Sequence, residues 1–312
     1  MEPLNVLSLF DGIGCARLAL ARAEIPVARY FRSEIDPHAN QVVDRQWGDM
    51  VVNLGDVQNI DSKTLPKIDL LIGGSPCQGL SFATTDRLNL DDPRSKLFFE
   101  FVRLKEELNP KYFLLENVRM NRTSRDTISR LLRVDCVELN SSLVSAQYRN
   151  RLYWTNVPFS MPHDKGIKLK DILENGTASE QMTTQNGKAH CHTATYQRVD
   201  KPVSRNGLHQ IGIANINGHD NLKRVYGGDG LSPTLNACTG GNREPKTADG
   251  SQYWRRLTPT ECESLQTVPK NYTASVPKTA RYKLLGNAMT VDIISHIFKS
   301  LSGERKRPTL RK

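Results

Sequence analysis

The sequence predicts an α/β fold built on a mostly parallel sheet, joined to a second, smaller and loop-rich region. Three observations carry this expectation. From Asn5 to Asn156, short apolar runs alternate with stretches of helical periodicity, the pattern of consecutive βαβ units. Beyond Pro158 the alternation stops, and residues 160–250 are polar and rich in Gly, Asn, Thr and His. The chain of 312 residues is 38% hydrophobic and 24% charged, enough for a buried core and long enough for one large domain with an appendage, or two domains.

Each element follows from its local pattern. Asn5 to Phe10 reads as the first strand, Asp11-Gly12-Ile13-Gly14 as the turn after it, and Cys15 to Ala23 as a helix. Val27 to Arg32 is the second strand, followed by a helix from Pro37 to about Trp47. Val51 to Leu54 and Ile68 to Ile72 are the third and fourth strands, and Ser95 to Leu108 is a helix. Lys111 to Leu115 is the fifth strand, with a helix near Arg125 to Arg133 and further strands near Asp135 to Leu143 and Arg151 to Asn156. Thr258-Pro-Thr-Glu261 has a capping residue, proline at the first helical position and glutamate three residues on, which marks a helix start. Ala288 to Leu301 reads as an amphipathic last helix.

Composition narrows the function. Lys plus Arg is 43 against 33 Asp plus Glu, a net charge of +10, which suits a polyanion such as nucleic acid and is also compatible with plain solubility. Five of the last ten residues are basic (Arg305, Lys306, Arg307, Arg311 and Lys312), so the tail supplies part of that excess. Six cysteines are scattered without a CxxC, which argues against a zinc ribbon or a disulfide framework and for a reducing compartment. His190-Cys191-His192 is read as an ordinary loop, because adjacent residues rarely share one tetrahedral ion, and no metal is expected. No apolar run reaches the roughly 18 residues of a membrane span, and no basic region precedes the first strand as in a signal peptide.

The residues that carry chemistry fall at strand ends, where open α/β folds bind ligands. Pro76-Cys77-Gln78 follows an apolar run and two glycines, which places one thiol on a tight turn. Glu116-Asn117-Val118 ends another run, so a nucleophile and a carboxylate are paired as covalent catalysis with acid assistance requires. Phe10-Asp11-Gly12-Ile13-Gly14 permits close backbone approach to a ligand. About twenty residues later Glu34-Ile35-Asp36 places an acid where ribose hydroxyls are commonly held. The missing third glycine favours a nucleoside cofactor without a pyrophosphate over NAD. Gly55-Asp56-Val57 adds a carboxylate suited to an adenine amino group. In Gln147-Tyr148-Arg149-Asn150-Arg151, period two puts Gln147, Arg149 and Arg151 on one face, which calls for a carboxylate or phosphate partner.

Taken together these motifs resemble the cytosine-5 DNA methyltransferases over nearly the whole chain. In order they are LFDGIG (9–14), SEID (33–36), GDV (55–57), GGSPCQGLS (73–81), ENV (116–118), QYRNR (147–151), RRLTPTECESLQ (255–266) and LLGNAM (284–289). VLSLFDGI, GGSPC and KLFFEFVRL resemble the animal de novo branch. PCQ and the glutamine of QYRNR resemble the bacterial and phage enzymes. Ser75 before Pro76 is shared with the animal branch.

The resemblance implies a Rossmann-like class I S-adenosylmethionine-dependent methyltransferase fold with a small loop-rich target-recognition domain. It implies a catalytic domain over residues 1–157 and 284–302, target recognition over 158–270, a hinge at 271–283 and a basic disordered tail at 303–312. Cys77 would add to C6 of a flipped cytosine, Glu116 would contact N3 and the exocyclic amine, and Arg149 and Arg151 would hold O2 and orient the glutamate. Phe10, Asp11, Gly12, Ile13, Gly14, Glu34, Ile35, Asp56, Val57, Pro76, Leu97, Asn287 and Ala288 would line the S-adenosylmethionine site. Gln78, Ser81 and Arg94 lie on a loop that would close over double-stranded DNA. Arg224, Thr234, Gly240 and Gly241 resemble the target-recognition core. The expected setting is the cytoplasm of a prokaryotic or phage-infected cell, at the nucleoid. A tRNA cytosine-5 methyltransferase on the same scaffold and a catalytically inactive DNA-binding relative are the alternatives, and a nicotinamide dehydrogenase fits the glycines poorly.

Overall fold

The computed structural model describes residues 1–75, 96–174, 180–181, 206–237, 241–248 and 253–302. Pro76, Cys77, Gln78, Ser81, Arg94, His190 to His192, Gly240 and the basic tail lie outside the described residues. The chain divides into two compact units. The first holds Met1–Leu139, Asn150–Pro162 and Met289–Lys312, and the second holds Asn140–Arg149 and His163–Ala288.

Among the described residues the first unit is organised by a seven-stranded sheet. Its strands are β1 (Leu4–Leu9), β2 (Val27–Ser33), β3 (Val52–Asn53), β4 (Leu70–Gly73), β5 (Tyr112–Val118), β6 (Cys136–Asn140) and β7 (Asn150–Thr155). They are ordered β3-β2-β1-β4-β5-β7-β6. β1 pairs in parallel with β2 and β4, β4 in parallel with β5, and β7 runs antiparallel to β5. The order reverses between β1 and β4, and in open α/β sheets such a switch point is where ligands bind, at the carboxyl ends of the strands. Phe10 to Gly14 follow β1 at that edge, and Gly74 and Ser75 follow β4.

The sheet is mostly parallel as the βαβ alternation requires, and burial follows. Every residue of β4 is buried, as expected of a central strand covered on both faces. Leu7, Leu9, Leu71, Phe98, Phe101, Leu115, Ile128 and Trp154 join one apolar core. The Trp154 indole N–H donates to Ser129 Oγ at 2.9 Å, so its one polar atom is paired inside that core. The helices of this unit include α1 (Cys15–Arg22), α2 (Pro37–Trp47), α3 (Lys96–Leu108), α4 (Arg122–Leu132) and the last helix, Val291–Lys299. α2 starts where Asp36 accepts from the amides of His38 and Ala39, with Pro37 at the first helical position.

Two elements differ from the sequence reading. The strand expected near Asp135 to Leu143 stops at Asn140, whose side chain caps a short 3₁₀ turn at Ser141–Leu143. The last helix expected from Ala288 starts instead at Val291, and Ala288 is extended at ψ 152°. A separate helix, Lys278–Asn287, precedes it.

The second unit contains a five-stranded sheet among its described residues. Its strands are β8 (Glu180–Gln181), β9 (Gln210–Ile213), β10 (Arg224–Gly227), β11 (Lys246–Ala248) and β12 (Tyr253–Arg256), ordered β8-β12-β11-β10-β9. Ile211, Ala214, Val225, Ala248 and Trp254 form its small core. The helix Pro259–Leu265 begins on the predicted capping box, with Thr258 and Glu261 each accepting from the other's backbone N–H.

Candidate active site

The loop after β1 is bent into shape by its backbone and held by carboxylates. Phe10, Gly12 and Gly14 have φ of 54°, 57° and 77°, and glycine is the residue that takes this conformation without strain. The Gly12 amide donates to Glu34 Oε2 at 2.8 Å. Glu34 Oε1 accepts from the amides of Ile35 and Asp36 at 2.9 and 2.8 Å. The strand-end acid therefore ties the β1 loop to the β2 loop. A carboxylate offers about four acceptor positions, so three backbone bonds leave room for a hydroxyl donor. Ile35 beside it is 72% exposed, an apolar surface next to a polar one, as a nucleoside requires. This chemistry fits an adenosine-bearing cofactor.

Asp11 is turned the other way. Its carboxylate is buried and accepts from Tyr30 Oη at 2.7 Å and from Arg32 Nε at 3.0 Å. Arg32, itself fully buried, also donates to the Gly12 carbonyl at 3.1 Å and to Asn40 Oδ1 at 2.7 Å. Burial, aided by the Asp11 charge, pushes the Tyr30 phenol well above its usual range, so it remains a donor. This support beneath the loop was not anticipated; Arg32, in the buried half of β2 after Tyr30 and Phe31, is its signal. Asp56 caps a 3₁₀ turn by accepting from the Gln58 amide, Val57 is buried, and Leu97 packs against the core.

The second part of the site lies at the ends of β4 and β5. Glu116 is 9% exposed, and its Oε1 lies 3.0 Å from Arg151 Nε. In the β5–β7 register Arg151 stands opposite Val118 and Tyr153 opposite Glu116, so the ion pair is a diagonal cross-strand contact. A Cβ on Gly74 would sit 3.5 Å from Glu116 Oε2, which places the carboxylate against the chain just before Pro76 and Cys77. Asn117 Nδ2 donates to Ser75 Oγ at 3.0 Å and anchors the same stretch. Sequence reasoning missed this bond, because its partners are 42 residues apart.

Arg149 belongs to the second unit and is buried there. Its Nη1 donates to the Leu235 carbonyl at 2.9 Å, and its Nη2 to the carbonyls of Gly286 and Ala288 at 3.1 and 2.9 Å. Gln266 Nε2 donates to the carbonyls of Leu285 and Ala288 at 2.7 and 3.2 Å. Together they collect the carbonyls that end the helix Lys278–Asn287, on either side of Asn287. This is the physical reason the chain breaks at Ala288. Only Arg151 of the QYRNR arginines lies in β7; Gln147 bridges Ser232, and Thr234 Oγ1 donates to the Tyr148 carbonyl at 2.6 Å. Arg224 is exposed at the start of β10, where its charge and hydrogen bond partly offset the upward push of burial on the Tyr226 phenol. Gly241 has φ 72°, and a Cβ added there would meet nothing within 4 Å among the described residues. No group of His, Cys, Asp or Glu among the described residues could hold a metal ion.

This fold and these strand-end motifs define a class I S-adenosylmethionine-dependent methyltransferase. The model of the C-5 cytosine-specific DNA methylases matches residues 4–303, and the chain belongs to that family. The type II methyltransferase M1.ScrFI of Lactococcus lactis subsp. cremoris is 30% identical over 324 residues, covering 95% of this chain and 77% of its own. The orphan methyltransferase M.Rho11sI of Bacillus phage rho11s is 29% identical over 351 residues, covering 80% and 70%. Among solved structures, the Entamoeba histolytica methyltransferase EhMeth superposes with a TM-score of 0.70 at 15% identity, over 96% of this chain and 98% of its own, a likeness of fold. The protein is a DNA cytosine-5 methyltransferase, and members of this family take the methyl group from S-adenosylmethionine. No helix among the described residues is long and apolar enough to cross a membrane.

Proposed function

We propose that the chain methylates C5 of a cytosine flipped out of double-stranded DNA, through a covalent bond between Cys77 and C6. The observation that carries this reading is the Glu116–Arg151 ion pair set against Gly74, two residues before Pro76-Cys77. C5 of cytosine is a poor nucleophile. Addition of a thiolate at C6 makes C5 electron-rich, and proton donation toward N3 by Glu116 removes the charge that would otherwise build on the ring. Arg151 holds the glutamate in place for that transfer. Once C5 carries the methyl group, the N3 proton returns to Glu116, a water molecule takes the C5 proton, and the C6–S bond breaks to release the Cys77 thiolate, which restores the aromatic ring. The base must leave the stack for the thiol to reach it.

S-adenosylmethionine, when bound, supplies the methyl group to C5. Glu34 would hold its ribose hydroxyls and Ile35 its apolar face, with Phe10, Gly12, Ile13, Gly14, Asp56, Val57, Pro76, Leu97, Asn287 and Ala288 completing the site. Asp11 serves this site by fixing the turn. Gln78, Ser81 and Arg94 would meet DNA near the flipped base, and Thr234, Gly240, Gly241 and Arg224 would act in target recognition. Residues 158–270 would choose the sequence, and the enzyme would act in the cytoplasm at the nucleoid. The test is transfer of tritium from labelled S-adenosylmethionine to duplex DNA and to tRNA in parallel. Label in 5-methylcytosine of DNA is expected, and label in tRNA alone would overturn the reading.

A further inference from the structure

The turn between residues 241 and 246 is fixed far more tightly than an exposed turn needs. Gly241 and Asn242 are consecutive residues in the left-handed region, at φ 72° and 60°. Lys246 is 2% exposed, and its ammonium donates to the carbonyls of Asn242 and Glu244 at 2.7 and 2.8 Å. Arg256 Nη2 donates to Asn242 Oδ1 at 2.9 Å, and Arg256 Nε lies 3.7 Å from Glu244 Oε2. Asn242 Nδ2 donates in turn to the Asn217 carbonyl at 3.2 Å. Beneath them the buried Trp254 ring lies 5.9 Å from Lys246 Nζ and 5.4 Å from Arg256 Cζ. The exposed residue between the two clamped ones is Arg243.

This arrangement carries an energetic cost. Lys246 and Arg256 stand directly opposite each other in the β11–β12 register, and like charges at such positions repel. Burying an ammonium adds a desolvation penalty, which carbonyl bonds and the indole face offset only in part. A turn selected for stability alone would be met more simply by apolar packing. What the clamp provides is a fixed backbone on both sides of one arginine. A phosphate contact needs no such rigidity, since a flexible cation serves. Bidentate recognition of a base edge does need it, because both guanidinium donors must meet O6 and N7 together.

We propose that Arg243 is a specificity-determining residue that reads a guanine through the major groove of the DNA target, and that Lys246 and Arg256 are positioning residues that hold its turn. This rests on the DNA reading above. The test compares full-length wild type, Arg243→Ala, Arg243→Lys and Lys246→Met on one DNA library of varied sequence. Methylated cytosines are located by bisulfite sequencing, and bound sequences are selected separately without methyl transfer.

Both Arg243 variants are expected to lose preference for guanine at one position by roughly five- to a hundredfold. The salt dependence of DNA binding should be nearly unchanged. Lys246→Met is expected to relax the same position although Arg243 is intact. An unchanged motif in Arg243→Ala with evenly reduced methylation and a shallower salt dependence marks a phosphate contact and overturns the proposal, as does a motif that Arg243→Lys preserves. Should Lys246→Met not fold, the two Arg243 variants, altered at an exposed position, decide alone. If wild type methylates no DNA, the catalytic reading fails, and the selected sequences still decide whether Arg243 sets a preference.

Discussion

At the scale of single residues, the proposed roles divide into side chains that would meet cofactor or base and side chains whose bonds hold others still. Glu116 was legible in the sequence because it ends an apolar run, and its pairing with Arg151 follows from strand register. Replacing Glu116 by Gln keeps the shape and removes the proton and the charge. Turnover is expected to fall by about a hundred- to ten-thousandfold with DNA affinity nearly unchanged, measured by single-turnover methylation beside equilibrium binding. An equal loss in both would assign Glu116 to structure. Glu34 was legible from its distance after the β1 glycines, whereas its three backbone bonds were not. Glu34→Ala should raise the dissociation constant for S-adenosylmethionine in calorimetry while leaving DNA affinity in place. Arg149 shows where the reading ran out. Period-two logic put it on a face with Arg151, but β7 begins at Asn150, and Arg149 donates to carbonyls 86 to 139 residues away.

At the scale of elements, local signals were read well and long-range ones were not. The capping box at Thr258 is written in four consecutive residues and forms as expected. It is reinforced by Arg255, whose two terminal nitrogens lie 2.8 and 2.6 Å from the Glu261 carboxylate. Thr258→Ala removes one side of the box and is expected to cost about 1 kcal/mol, within 0.5–2, in denaturant unfolding of the full chain. A change below that range would mean that the Glu261–Arg255 pair alone fixes the helix start. The five-stranded sheet of the second unit was not legible. Its strands are two to four residues long, too short to express an alternating pattern among glycines and polar residues. Gly286-Asn287 mark a boundary before Ala288, but the helix Lys278–Asn287 that ends there was not read, and the capture of its last carbonyls by Arg149 and Gln266 comes from distant segments.

At the scale of the whole molecule, composition and fold agree with a polyanionic substrate. A chain of net charge +10 should bind duplex DNA with an affinity that falls steeply with salt, by about 0.9 in log affinity per log unit of salt for each phosphate neutralised. Binding by fluorescence anisotropy across a salt series checks this, and a flat dependence would detach the basic excess from DNA. The parallel sheet was foreseeable because βαβ alternation is strong, and its reversal between β1 and β4 puts the strand ends Leu9 and Gly73 side by side. The central claim remains the covalent bond from Cys77. DNA carrying 5-fluorocytosine at the target should trap wild-type protein in a denaturation-resistant complex when S-adenosylmethionine is present, because fluorine at C5 cannot leave as a proton does. Cys77→Ser should form no such complex, and a complex of undiminished yield from Cys77→Ser would contradict the account.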